Sequence, residues 1–221
     1  NNISRYVSGV ILFHETLYQN DSEGKPLVKI LTDQGIVPGI KVDKGAKPLA
    51  DHPNETITEG LDGLRERLGE YSQAGAKFTK WRAVISIANS IPSNYCIEAN
   101  AHALARFASL SQEAGLVPII EPEVLMDGTH SIDACYRATE SVLTEVYDQL
   151  ARSKVDLKGT LLKPNMVLSG KSAENRAAPK EVAQATVSCF KNTVPSAVPG
   201  IVFLSGGQSD NEATVNLDAI N

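Results

Sequence analysis

Charged residues recur in this sequence at the ends of short apolar runs, often as pairs spaced i, i+2. Lys41 and Asp43 close one run, Lys80 and Arg82 lie in another, and Glu121 and Glu123 close a third. Lys163 ends a fourth run, Ser205, Gly206 and Gly207 end a fifth, and Glu15 follows the earliest one. An i, i+2 spacing puts both side chains on one face of a strand. A lysine that finishes an apolar strand is desolvated, which disfavours its ammonium form. Lys80 would push Lys163 the same way by like-charge repulsion. The neutral amine that results can attack a carbonyl and form a Schiff base. Such a reaction needs an acid/base group to move protons. Glu121 suits that role, and Glu123 beside it would raise the pKa of one of the pair. The glycines at 206 and 207 let backbone approach a ligand, and a helix start behind them favours an anion such as phosphate. Lys41 and Arg82 can clamp a second phosphate across the mouth. The plainer readings are carboxylates that merely neutralise Lys80 or Lys163, and an ordinary tight turn at Ser205.

Strands and helices alternate to position these groups. Residues 7–13, 36–42, 78–87, 116–121, 160–164 and 200–205 read as strands, being short, apolar and rich in β-branched residues. Residues 26–34, 58–74, 93–114, 130–153, 179–192 and 209–221 read as helices. Leu61, Leu64 and Leu68 share a face of the second of these, and Gly75 caps its end. Ser93 caps the third, and Pro179 starts the fifth, where a missing N–H costs nothing. Trp81, between Lys80 and Arg82, should point away from them and pack under a helix. Residues 169–179 read as the softest segment.

The alternation argues for a parallel sheet covered by helices, in one domain spanning 1–221. Two architectures fit, a doubly wound sheet and a (β/α)8 barrel. No glycine-rich phosphate loop follows the first strand, which lowers the nucleotide-binding version. A barrel would gather polar groups at the C-terminal ends of many strands, as is seen here.

The 221 residues carry a net charge of −5 with 42% hydrophobic residues, ordinary for a globular chain. Mild acidity offers no general attraction to nucleic acid, and no apolar run nears the ~20 residues of a membrane span. Cys96, Cys135 and Cys189 are scattered and odd in number, so neither a disulfide framework nor a zinc site is expected, and a cytoplasmic setting is the default. His14, His52, His102 and His130 show no metal-ligand spacing, so no metal is expected. The chain opens without a signal-peptide pattern and reads as part of a longer protein.

The residues resemble class I fructose-bisphosphate aldolase, the Schiff-base enzyme of glycolysis and gluconeogenesis. The matching stretches are 9–17, 39–45, 60–64, 80–82, 117–123, 159–165 and 203–209, in family order across the whole chain. The resemblance implies a (β/α)8 barrel that reversibly cleaves fructose 1,6-bisphosphate to dihydroxyacetone phosphate and glyceraldehyde 3-phosphate, without metal or organic cofactor. By motif match Lys163 is the Schiff-base lysine, Glu121 the general acid/base with Glu123 beside it, and Lys80 a stabiliser of charge near the reacting carbons. Lys41 and Arg82 fall at the distal phosphate, and Ser205 and Gly206, with Gly207 beside them, at the C1 phosphate. The family is usually a homotetramer. Six of its eight strands are expected here, with the first strand, the eighth and the tail outside the sequence; that would leave two open sheet edges. Lys158 departs from the family pattern. On a strand it would face away from Lys163, so only a tuning effect is expected. The alternatives are another Schiff-base barrel lyase of the transaldolase or deoxyribose-phosphate aldolase kind, and a non-catalytic barrel scaffold.

Overall fold

The computed structural model describes residues 3–221. The order is β1 (Gly9–Leu12), α1 (His14–Leu17), α2 (Leu27–Asp33), β2 (Val37–Lys41), β3 (Ala46–Pro48), β4 (Thr56–Thr58), α3 (Leu64–Gln73), β5 (Phe78–Ile85), α4 (Asn94–Glu113), β6 (Val117–Val124), α5 (Ile132–Arg152), β7 (Leu161–Leu162), α6 (Pro179–Thr193) and α7 (Asp210–Ile220). Five strands form one all-parallel sheet in the order β1-β2-β5-β6-β7. That order follows the sequence without reversal, whereas a doubly wound sheet reverses at its switch point.

The sheet also rolls. Gly9 and Ile11 of β1 line the same cavity, of about 500 Å³, as Leu161, Lys163 and Val202 at the other end of the sheet. Phe78, Val117 and Ile119 complete its floor. The opposite face is the packed layer under the helices. Trp81, Ile120 and Leu162 lie in register along it, all buried. Trp81 stacks on Phe107 of α4 with ring centroids 5.7 Å apart, as its position between Lys80 and Arg82 requires. The architecture is that of a (β/α) barrel wall.

The helix signals act where the sequence puts them. Ser93, Ser131 and Ser209 each accept a main-chain N–H at a helix start, and Pro179 opens α6. Gly75 follows α3 with φ +101°.

Several expectations change. The helix read over 58–74 starts only at Leu64, because Thr56–Thr58 pairs antiparallel with Ala46–Pro48 as a small ribbon. The strand read over 200–205 thins to one parallel bridge, Ile201 to Leu162, with main-chain bonds from Val202 N to Leu162 O (2.9 Å) and from Leu204 N to Pro164 O (3.3 Å). The loop read as softest is tied down: Gly170 N, Lys171 N and Ser172 N donate to the carbonyls of His130, Met126 and Gly128. Lys158 lies in an exposed 3-10 turn before β7, so the strand-face argument does not apply to it. Among the described residues no helix is long and apolar enough to cross a membrane.

Candidate active site

Register brings the charged pairs together. Lys41 of β2 lies beside Lys80 of β5, and Arg82 of β5 beside Glu121 of β6. β6 runs three residues further than the sequence suggested, to Val124, so Glu121 and Glu123 sit within the strand rather than at its end. Pro122 between them has no N–H for the β7 side, where, two residues on, Asn165 Oδ1 accepts the Val124 N–H at 3.0 Å. Lys163 follows β7 directly and continues its ladder by donating N–H to Ile120 O at 2.8 Å.

Glu121 is the centre of the site. Its side chain is 5% exposed. Oε1 accepts a hydrogen bond from Lys163 Nζ at 2.6 Å, and Oε2 lies 3.0 Å from Lys80 Nζ. The second contact is an ion pair too bent for a hydrogen bond, so buried Oε2 has no hydrogen-bond donor. Glu121 therefore contacts both lysines at once, one on each oxygen.

Asp43 is a second buried hub. It takes Lys41 Nζ on Oδ1 at 2.5 Å, and Lys80 Nζ lies 3.9 Å from Oδ2. It also accepts N–H groups from Gly45 (3.1 Å) and Arg82 (3.3 Å). It separates the like charges that register forces side by side. Arg82 Nε donates to Glu123. Burial alone would lower the Arg82 pKa, but the hydrogen bond and charge of Glu123, with Glu121 and Asp43 behind, hold it above its ordinary value. Four cations thus face three carboxylates, which leaves one positive charge in excess for an anion.

The Ser205–Gly206–Gly207 turn borders the same site. A Cβ built on Gly206 would lie 3.9 Å from Glu123 Oε1. Gly206 and Gly207 hold φ of +63° and +90°, open to glycine and strained for other residues. Gln208 fixes the turn from below, its amide donating to Ser205 O at 2.8 Å and accepting from Asn216 at 2.7 Å. Ser205 itself is exposed, ahead of the Ser209-capped start of α7.

The structure thus brings Lys41, Lys80, Arg82, Glu121, Glu123 and Lys163 together around Asp43, with the Gly206 turn beside Glu123. Asp43 is the one that sequence reasoning noticed without giving it work, although its i, i+2 spacing from Lys41 was the available signal. The histidines do not gather; His14 bonds Tyr71 OH through Nδ1 at 3.0 Å. Among the described residues no cluster of three or more His, Cys, Asp or Glu could hold a metal ion. Cys96, Cys135 and Cys189 are buried and unpaired with one another; burial pushes the thiols of Cys96 and Cys189 up, to about 11 and about 12.

The family model described as glycolytic, fructose-bisphosphate aldolase class-I, matches residues 1–221. The chain is 57% identical to the probable fructose-bisphosphate aldolase class 1 of Xanthomonas campestris pv. campestris over 219 residues, covering 99% of this chain and 66% of that one. It is 54% identical to human fructose-bisphosphate aldolase B over 221 residues, covering 100% of this chain and 61% of that one. A solved structure of the aldolase from Plasmodium falciparum, in complex with TRAP and a small-molecule inhibitor, superposes with a TM-score of 0.96 at 47% identity, covering 99% of this chain and 63% of that one. The chain thus spans less than two thirds of the length of these relatives. It belongs to the class I fructose-bisphosphate aldolase family.

Proposed function

We propose that the protein is a lyase that reversibly cleaves fructose 1,6-bisphosphate to dihydroxyacetone phosphate and glyceraldehyde 3-phosphate. The observation that carries this reading is the 2.6 Å contact between Lys163 and Glu121, with Lys80 3.0 Å from the other oxygen. Lys163 passes a proton to Glu121 and attacks the C2 carbonyl. Glu121 returns a proton to the carbinolamine oxygen, which leaves as water, and an iminium remains. A carboxylate of the site takes the proton of the C4 hydroxyl. The C3–C4 bond then breaks, its electron pair moves into the iminium to give an enamine, and the aldehyde departs. Protonation of the enamine at C3 and hydrolysis of the iminium release the ketone and restore Lys163. Lys80, between Glu121 and Asp43, keeps a positive charge beside the oxygens on which charge develops.

Lys41 and Arg82 bind the distal phosphate in this reading, while Ser205, Gly206 and Gly207 cradle the C1 phosphate. Both cations carry a carboxylate partner that the phosphate must share or displace. The two open edges, along β1 and along residues 200–205, suit the two further strands of the family barrel. Exposed Val37, Val117 and Val202 beside the interior cavity are what such strands would cover. On the resemblance, the reading includes a homotetramer and a place in glycolysis and gluconeogenesis, and the scattered, unpaired cysteines support a cytoplasmic setting.

The test is cleavage of fructose 1,6-bisphosphate by the full-length protein, with both triose phosphates quantified. Equal release of the two supports the reading. If sugar monophosphates outcompete the bisphosphate, the second phosphate site is lost and a monophosphate lyase becomes the better account.

A further inference from the structure

Arg82 is held by side chains where a neighbouring strand would be expected. The last ladder bond between β2 and β5 runs from Val42 N to Lys80 O at 3.1 Å. β5 continues to Ile85, so Arg82 and Val84 turn their peptide groups toward a place β2 has left. Three side chains fill it. Asp43 Oδ2 accepts the Arg82 N–H (3.3 Å), Thr58 Oγ1 donates to Arg82 O (2.7 Å), and Thr56 Oγ1 donates to Val84 O (2.8 Å). Thr56 and Thr58 are spaced i, i+2 on β4, which matches the two-residue repeat of the carbonyls they serve.

The ribbon is itself fixed to α4. Asn100, 2% exposed, accepts the Thr58 N–H on Oδ1 at 3.3 Å and donates from Nδ2 to Thr56 O at 2.8 Å. Buried Glu55 accepts the Ser93 N–H at 2.6 Å, at the start of the same helix. A path of direct hydrogen bonds thus runs from α4 through Asn100 and Thr58 to the main chain of Arg82.

We infer that Thr58 is a positioning residue that sets Arg82 for the distal phosphate, and so sets the preference for a bisphosphate over a monophosphate. The inference rests on the aldolase reading above. The Thr58 hydroxyl is its critical atom, because valine has nearly the same shape and lacks only the donor. Without that donor the part-buried carbonyl of Arg82 loses its side-chain partner, and only Asp43 and Glu123 still hold the residue on this side.

The experiment compares Thr58→Val with the wild type in the full-length protein, on fructose 1,6-bisphosphate and fructose 1-phosphate. KM for the bisphosphate should rise about fivefold, the scale of one buried hydrogen bond, with KM for the monophosphate unchanged. Thr58→Ser, which keeps the hydroxyl, should restore the wild-type ratio. Thr79→Val is the structural control. Thr79 bonds Ser111 at 2.9 Å from the other face of the same strand, so its loss should lower stability and leave the ratio alone. Should Thr58→Val fail to fold, Thr56→Val, at a half-buried position, carries the test with a smaller rise of about twofold. Equal changes on both substrates, or none, would overturn the inference. A wild type that cleaves neither sugar would overturn the aldolase reading and the inference with it.

Discussion

Lys163 and Glu121 meet at 2.6 Å, with Glu121 nearly enclosed and Lys163 about one-fifth exposed. The pair sits at the junction of β6 and β7, where the Lys163 N–H bonds the strand that carries Glu121. Main-chain pairing and side-chain contact therefore hold the two residues at the same place on the sheet.

Glu121→Gln keeps the shape and removes the charge. Proton transfer at Lys163 would lose its partner, and kcat should fall about 10²- to 10⁴-fold. Lys80 and Lys163 would be left as two cations without their shared carboxylate, so stability should fall as well. Steady-state kinetics with thermal unfolding checks both. Activity within about twofold of wild type would remove Glu121 from the proton path.

The barrel interior makes a packing prediction. A Cβ on Gly39 would lie 2.2 Å from the Phe78 ring, whose edge also approaches Gly9. These glycines make room for the ring beneath the lysines. Gly39→Ala should destabilise the protein by about 1–3 kcal/mol through overpacking. Denaturant unfolding would show it as a lower midpoint at unchanged slope.

His130 should give part of the stability a pH dependence. It joins β6 to α5, and its carbonyl holds Gly170 of the loop that follows Lys163. Burial is the largest influence on its ring and lowers its pKa, against the opposing effects of the Leu168 backbone and Asp127. The folded state then resists a proton that the unfolded chain accepts near pH 6.5. Stability from this source is complete above 6.5 and is lost as pH falls toward the depressed value. His130→Asn should unfold with a flatter dependence across that window. An unchanged slope would assign the pH dependence to other groups.

Much of this was legible in the sequence because parallel strands are apolar on both faces. The runs at 7–13, 36–42 and 78–87 stood out for that reason, and the i, i+2 charges within them marked the inward face. The ribbon was not legible. Ala46, Lys47 and Pro48 are all exposed, and Leu61, Leu64 and Leu68 drew a helix back to Thr58, the last residue of β4. The work of Asp43 depends on the register of Lys41 against Lys80, which no local pattern encodes. Residues 200–205 looked as strand-like as the others, but among the described residues their strand pairing runs along one side, to residues 162–164.

The central claim is that Lys163 forms the Schiff base. Borohydride reduction of the full-length protein with dihydroxyacetone phosphate, followed by peptide mass spectrometry, tests it directly. The account predicts one reduced adduct, on Lys163, absent from Lys163→Ala. An adduct on Lys80 or Lys41 instead, or none on the full-length protein, would contradict it.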